Sequence, residues 1–338
     1  MNIYRLVCIV FTTLLVSCVS KPTSPVMQRL PFVADSAYVY IQEQVDFGPR
    51  VPGTSSHQQC GDWLKAVLGR FGAQVMEQTG YEINYAGDNQ YIRNIVAYIP
   101  GNHPSTVLLC AHWDSRPWSD EEENYEDRYA PVLGANDGAS GVGVILEIVR
   151  QWNTIAQMEA YAGCVPALQI VFFDCEDMGT PSHYTQKQRE HTWCLGSQLW
   201  SKKYKQSILD HSPIQPKIRY GILLDMVGDP SATFPREYYS MLYASSYVEQ
   251  IWRTAISLGY GRYFMGTAAQ NTAFSIVDDH YYVNTIAGIP CVDVIDYSTN
   301  SETGFPEWWH TQHDDMRNIN KQTLQAVGET VITTICSK

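Results

Sequence analysis

The chain has 338 residues, with 23 Lys and Arg against 35 Asp and Glu, a formal charge of −12. Its 45% apolar and 17% charged content excludes a disordered protein, and the acidic balance excludes a phosphate-backbone binder, so nucleic acid is no expected partner. At about 300 residues a fold buries roughly three quarters of its unfolded surface, enough for one domain without disulfide staples.

The first residues read as an address rather than as structure. Arg5 supplies a positive start, and the apolar stretch Leu6 to Val16, broken only by Thr12 and Thr13, is too short for the roughly 20 residues that span a bilayer. It ends in Leu15-Val16-Ser17-Cys18, which resembles the lipobox of bacterial lipoproteins. That resemblance implies a signal peptide over 1–17, a lipidated Cys18 with a tether over 18–30 (Lys21, Pro22, Ser24 and Pro25), and one domain over 31–338. The implied location is exported and lipid-anchored, facing the periplasm of a Gram-negative bacterium, with the membrane as a partner through Cys18. Of nine cysteines, those left after Cys8 and Cys18 show no CxxC spacing, neither a zinc-finger nor a disulfide-framework pattern.

Further along, Asp35 is expected to cap a helix running through Val45, and Ser55 or Ser56 a second one that Gly72 stops. Phe47 to Thr54, rich in Gly and Pro, is a loop between them. Tyr91 to Ile99 alternates as a strand does, and Thr106–Cys110, Ala167–Phe173, Ile218–Leu224 and Cys291–Ile295 are short apolar runs. Helical patterns lie at Gly141–Trp152, Ser197–Tyr204, Tyr247–Leu258 and Leu324–Ile335. Strands buried on both faces and alternating with helices predict an α/β fold. This would be a single layered domain with a central, twisted, mostly parallel mixed sheet flanked by helices; an α+β arrangement is the alternative.

Chemistry-bearing residues follow the apolar runs: His112-Trp113-Asp114-Ser115, Asp174-Cys175-Glu176-Asp177 and Asp225. Active sites of open α/β sheets lie outside the carboxyl ends of their strands, so these groups should converge. Asp137, in Gly134-Ala135-Asn136-Asp137-Gly138, and His310, behind Trp308-Trp309, join them from loops. Carboxylates and imidazoles in one crevice call for a cation, and an oxygen- and nitrogen-rich shell suits Zn²⁺ or another divalent metal. The pattern by itself predicts a metal-dependent hydrolase or transferase. The acidic run Asp120 to Glu123, with Glu126 and Asp127, lacks EF-hand spacing and reads as a solvated loop.

Taken in order, His112-x-Asp114-Ser115, Gly134-Ala135-x-Asp137, Glu176-Asp177, Asp225 and His310-Thr311 resemble the metal site of the M28 zinc aminopeptidases. The chain is more similar still to the glutaminyl-peptide cyclotransferases, which share that fold. The features behind this are Asp278-Asp279-His280, Phe305-Pro306-Glu307 with Trp309 before His310, and the early Phe47-Gly48-Pro49-Arg50-x-Pro52-Gly53-Thr54. The resemblance covers residue 36 to the C-terminus. It implies one Zn²⁺ held by Asp137, Asp177 and His310, with Glu176 as general acid/base. Asp278 and Asp225 would form an acid network beside Glu176, and Trp193, Phe305 and Trp309 an aromatic substrate pocket; Trp113 and Trp118 are assigned to packing. Most cyclases carry Glu-Glu where this chain has Glu176-Asp177, so the shorter Asp177 must bring its strand end closer to the metal. The implied reaction converts the N-terminal Gln of peptides and proteins to pyroglutamate with loss of ammonia. A dinuclear aminopeptidase, with His112 and Asp225 holding a second metal bridged by Asp137, is the alternative reading. A non-catalytic, lipid-anchored binding protein is the third.

Overall fold

The computed structural model describes residues 29–210, 217–265, 275–298 and 301–337. The signal peptide, Cys18 and all but the end of the tether lie outside the described residues. Six strands form one sheet: β1 (Gln74–Ile83), β2 (Asn89–Ile99), β3 (Thr106–His112), β4 (Ala167–Phe173), β5 (Ile218–Asp225) and β6 (Cys291–Ile295), in the order β1-β2-β4-β3-β5-β6. β4, β3, β5 and β6 run parallel, while β1 and β2 form an antiparallel hairpin on one edge, with β2 antiparallel to β4. The mixed, mostly parallel sheet of the expected α/β fold is therefore the one observed.

Among the described residues, seven α-helices flank it: α1 (Ala34–Val45), α2 (Ser55–Arg70), α3 (Ala139–Ala156), α4 (Leu195–Leu209), α5 (Tyr238–Ser257), the short α6 (Asp279–Tyr282) and α7 (Lys321–Ile335). Alternate residues of β3 sort onto the two faces of the sheet, as the two-residue period of a strand requires. Val107, Leu109 and Ala111 join the larger core under α1, α2, α3, α5 and α7, whereas Leu108 and Cys110 pack with Trp200 and Tyr204 of α4. α3 lies so close to β5 that a Cβ on Gly141 would stand 2.1 Å from the Leu224 carbonyl oxygen. That approach fixes the helix whose N-terminus follows Asp137.

Three local expectations need correction. Val33, not Asp35, occupies the N-cap of α1, with no side-chain cap bond. Asp35 sits in the first turn, where a carboxylate favours the helix dipole, and pairs with Lys321 at 2.6 Å. Thr54 caps α2, accepting from the His57 N–H, while Ser55 and Ser56 are already helical. β1 is absent from the sequence reading because it is an edge strand whose residues are all exposed or half-buried, leaving no apolar run. The seven described cysteines are all free. No helix among the described residues is long and apolar enough to cross a membrane.

Candidate metal centre and active site

His112 and Asp225 are the last residues of β3 and β5, and Glu176 and Asp177 lie in the turn after β4, beyond Asp174 and Cys175. These neighbouring parallel strands deliver all four to one end of the sheet. Asp137 reaches the same point from the loop before α3, and His310 from the connection between β6 and α7. Two groups of metal-type donors result, His112/Asp137/Asp225 and Asp137/Asp177/His310. Asp137 serves both: Oδ1 lies 3.0 Å from His112 Nε2, and Oδ2 lies 3.5 Å from His310 Nε2. Asp177 Oδ1 stands 3.2 Å from His310 Nε2, and Asp225 Oδ1 stands 3.2 Å from His112 Nε2.

The backbone that carries these groups is itself held by buried carboxylates. Asp114 accepts from the N–H groups of Glu176 (3.1 Å) and Asp177 (3.2 Å). Asp314 does the same for Asn136 (2.8 Å) and Asp137 (3.0 Å), and burial pushes its own carboxyl up to about 7. The fully buried Arg50 donates to the carbonyls of Trp113, Leu133 and Gly134, which explains the early Gly-Pro-Arg loop: it ties β3 to the Asp137 loop. Gly134 and Gly138 both have positive φ, and a Cβ on either would lie within 2.5 Å of a backbone oxygen. A side chain at either position would displace Asp137.

The electrostatics differ from one carboxylate to the next. Burial raises Glu176 well above the usual carboxylate range; Asp177 and Asp278 add to this, while His112 opposes it. Burial also acts to raise Asp177, but His310 and Arg116 outweigh it and hold that carboxyl below its usual range. Asp137 and Asp225 are raised, each mainly by burial. Arg116 donates to both the carbonyl (2.9 Å) and the carboxylate (3.3 Å) of Asp177 and also bonds Asp120. Its guanidinium lies 4.5 Å from the centre of the Trp193 ring and 5.5 Å from that of Trp118.

Aromatic side chains wall the centre. Trp309 stacks on His310 at 3.6 Å between ring centres, and Phe305 packs on Trp309 at 4.5 Å. Trp193 lies parallel to His310, 4° between planes and 6.1 Å apart. Gly179 makes room for that indole, since a Cβ there would fall 1.9 Å from Trp193 Cε2. Trp113 is fully buried and stacks on His57 at 4.1 Å. Trp118 packs with Tyr85 and His183.

Asp225 bonds to His112, and Asp278 bonds to the Asp279 backbone N–H at the start of α6. Glu176 Oε1 is met at 3.1 Å by the Cys194 thiol. Sequence reasoning missed Cys194, Asp314 and Arg116. A buried Arg shows no local periodicity, and its hydrogen-bond partners lie up to 64 residues away in sequence. A cavity of about 730 Å³ opens at the opposite, amino ends of β3 and β5 beside Arg219 and Arg253, and takes in none of these residues.

The donor chemistry suits a cation. Buried carboxylate oxygens and imidazole nitrogens converge there from His112, Asp137, Asp177, Asp225 and His310. Residues 94–335 match the peptidase family M28. The chain belongs to that family. Among solved structures, this M28 protein is similar to the glutaminyl cyclase of Tannerella forsythia, with 44% identity, TM-score 0.82, and coverage of 91% of this chain and 100% of that one. It is equally similar to a zinc-dependent exopeptidase from Parabacteroides distasonis, with 44% identity, TM-score 0.81, and coverage of 92% and 100%. The bovine glutaminyl-peptide cyclotransferase is 23% identical over 70% of this chain and 63% of its own length. The chain thus spans less than two thirds of the curated relatives it first matches. Membership of M28 and the zinc-dependent neighbour imply zinc at this centre.

Proposed function

We propose that this M28 protein is a glutaminyl-peptide cyclotransferase, an acyltransferase that closes N-terminal Gln of peptides and proteins to pyroglutamate and releases ammonia. The observation that carries this reading is the aromatic frame at the metal centre, with Trp193 and Trp309 nearly parallel to His310 and Phe305 behind Trp309. Flat apolar faces beside a metal ligand suit a planar amide side chain folded back on its own backbone. The 44% identity to the Tannerella glutaminyl cyclase supports it.

In this reading Asp137, Asp177 and His310 hold one Zn²⁺ per chain. When bound, the ion supplies a Lewis acid that polarises the γ-carbonyl of the substrate. Glu176, pushed by burial toward the operating pH, takes the proton of the attacking α-amine and returns it to the departing ammonia. Asp278 lies on the Glu176 side of the centre, and Asp225 orients His112. The lipobox at Cys18 supports an exported protein anchored in a membrane and facing the periplasm, where it would act on exported chains that begin with Gln.

The second reading, a dinuclear aminopeptidase, draws on Asp137, whose two oxygens face both donor groups. A Gln-initiated and a Leu-initiated peptide, followed by mass spectrometry with and without chelator, separate the two. Chelator-sensitive loss of ammonia from the Gln peptide alone is expected; release of free Leu would overturn the cyclase. Glu176→Gln should cost about 10²- to 10⁴-fold in turnover while zinc stays bound. Near-normal turnover in that variant would sink the assignment of Glu176.

A further inference from the structure

Glu176, whose role rests on the reading above, is held on one oxygen by a thiol. Cys194 Sγ stands 3.1 Å from Glu176 Oε1, and its second acceptor is the Val277 carbonyl at the longer distance of 3.8 Å. The side chain is fully buried. Cys194 precedes α4 with φ +56°, a left-handed conformation that residues other than glycine disfavour. Two backbone bonds enforce it: the Cys194 N–H donates to the Glu176 carbonyl at 2.9 Å, and the Leu195 N–H to the Cys175 carbonyl at 3.0 Å. The main chain, not a flexible side chain, therefore sets where the thiol stands relative to the carboxylate.

Asp278 completes the group. One donor atom each from Glu176, Cys194 and Asp278 lie within 4.8 Å of one another. Asp278 is only 4% exposed, and its Oδ2 has no hydrogen-bond partner. Burial, with Glu176 and Asp279 adding to it, keeps the thiol protonated, so the S–H is the donor.

We infer that Cys194 is a positioning residue for Glu176: its S–H donates to Oε1 and reserves Oε2 for proton transfer. A thiol is suited to this task because it carries one hydrogen and no charge: held by the backbone, it fixes one carboxylate oxygen and leaves the other open.

The test uses the full chain with its zinc, as wild type, Cys194→Ala and Cys194→Ser, assayed on both a Gln-initiated and a Leu-initiated peptide. Cys194→Ala should lose about tenfold in kcat with KM within about twofold, and Cys194→Ser should recover to within about threefold of wild type. Zinc content and Tm should match the wild type in both variants. A wild-type kcat in Cys194→Ala overturns the inference, and so does a Cys194→Ser as slow as Cys194→Ala. Turnover of the Leu peptide in place of the Gln peptide overturns the cyclase reading alone, because Glu176 carries the proton in either reaction and the Cys194 effect is still read. A wild type that turns over neither peptide overturns both.

Discussion

Asp137 divides the centre into two halves made of the same donor types, one imidazole and one further carboxylate on each side. What stands behind the carboxylates makes the halves unequal. Asp177 is bonded by Arg116 and held ionised, while the ion pairs of Asp225 among the described residues run only to His112, and burial raises it. His310 is faced by the rings of Trp193 and Trp309, whereas His112, equally buried, is faced at the end of β3 by Asp137 and Asp225. Identical ligand chemistry thus yields one half with a fixed negative charge and an aromatic approach, and another suited to carrying protons and hydrogen bonds.

The sharpest way to break that distinction is to remove a carboxylate or imidazole from each half. His310→Ala or Asp177→Ala should strip the zinc and cut turnover by about a thousandfold or more. Asp225→Asn should keep one zinc per chain and lose only about tenfold to a hundredfold. Metal analysis beside ammonia release reads both effects, and equal zinc loss in Asp225→Asn and Asp177→Ala would erase the difference between the halves. A smaller effect tests the aromatic approach: Trp309→Ala should raise KM about tenfold, with kcat little changed. An unchanged KM would remove Trp309 from the substrate pocket.

The smallest effect lies outside both halves. Asp296 accepts from the Thr233 N–H at 2.9 Å, and burial, with Asp229 adding, raises its carboxyl to about 7. The folded state keeps this proton at pH values where the unfolded chain has released it. Stability from this group is therefore full below about pH 4 and is lost as pH rises through 7. Asp296→Asn should exceed the wild-type Tm by about 2 °C at pH 8 and match it near pH 4, read by calorimetry. A pH-independent offset would mean that Asp296 is ionised in the fold.

The ligands also differ in how legible they are in the sequence. His112, Asp225 and Asp177 end or follow strands buried on both faces, so apolar runs such as Leu168–Phe173 announced them. His310 and Asp137 sit in loops, marked only by flanking Trp and Gly residues, and it is their order along the chain and the resemblance it carries that make them metal ligands. The supports were hidden, because Arg116, Asp314 and Cys194 act through contacts distant in sequence that follow no period. β1 was lost for the opposite reason: an edge strand has no buried face to write an apolar pattern.

Five residues other than glycine adopt left-handed backbone among those described, and three of them, Cys175, Cys194 and His310, lie within the site or directly beside Glu176, with Met226 next to Asp225. Each stores roughly 1–3 kcal/mol that a relaxed chain would recover. Heat-selected variants of this protein should therefore accumulate Gly or Asn at Cys175, Cys194 and Met226, where no metal ligand is lost, and should lose catalytic rate as they do. Thermostability and turnover draw on the same few dihedral angles, so an engineer who wants both must find the stability elsewhere in the molecule.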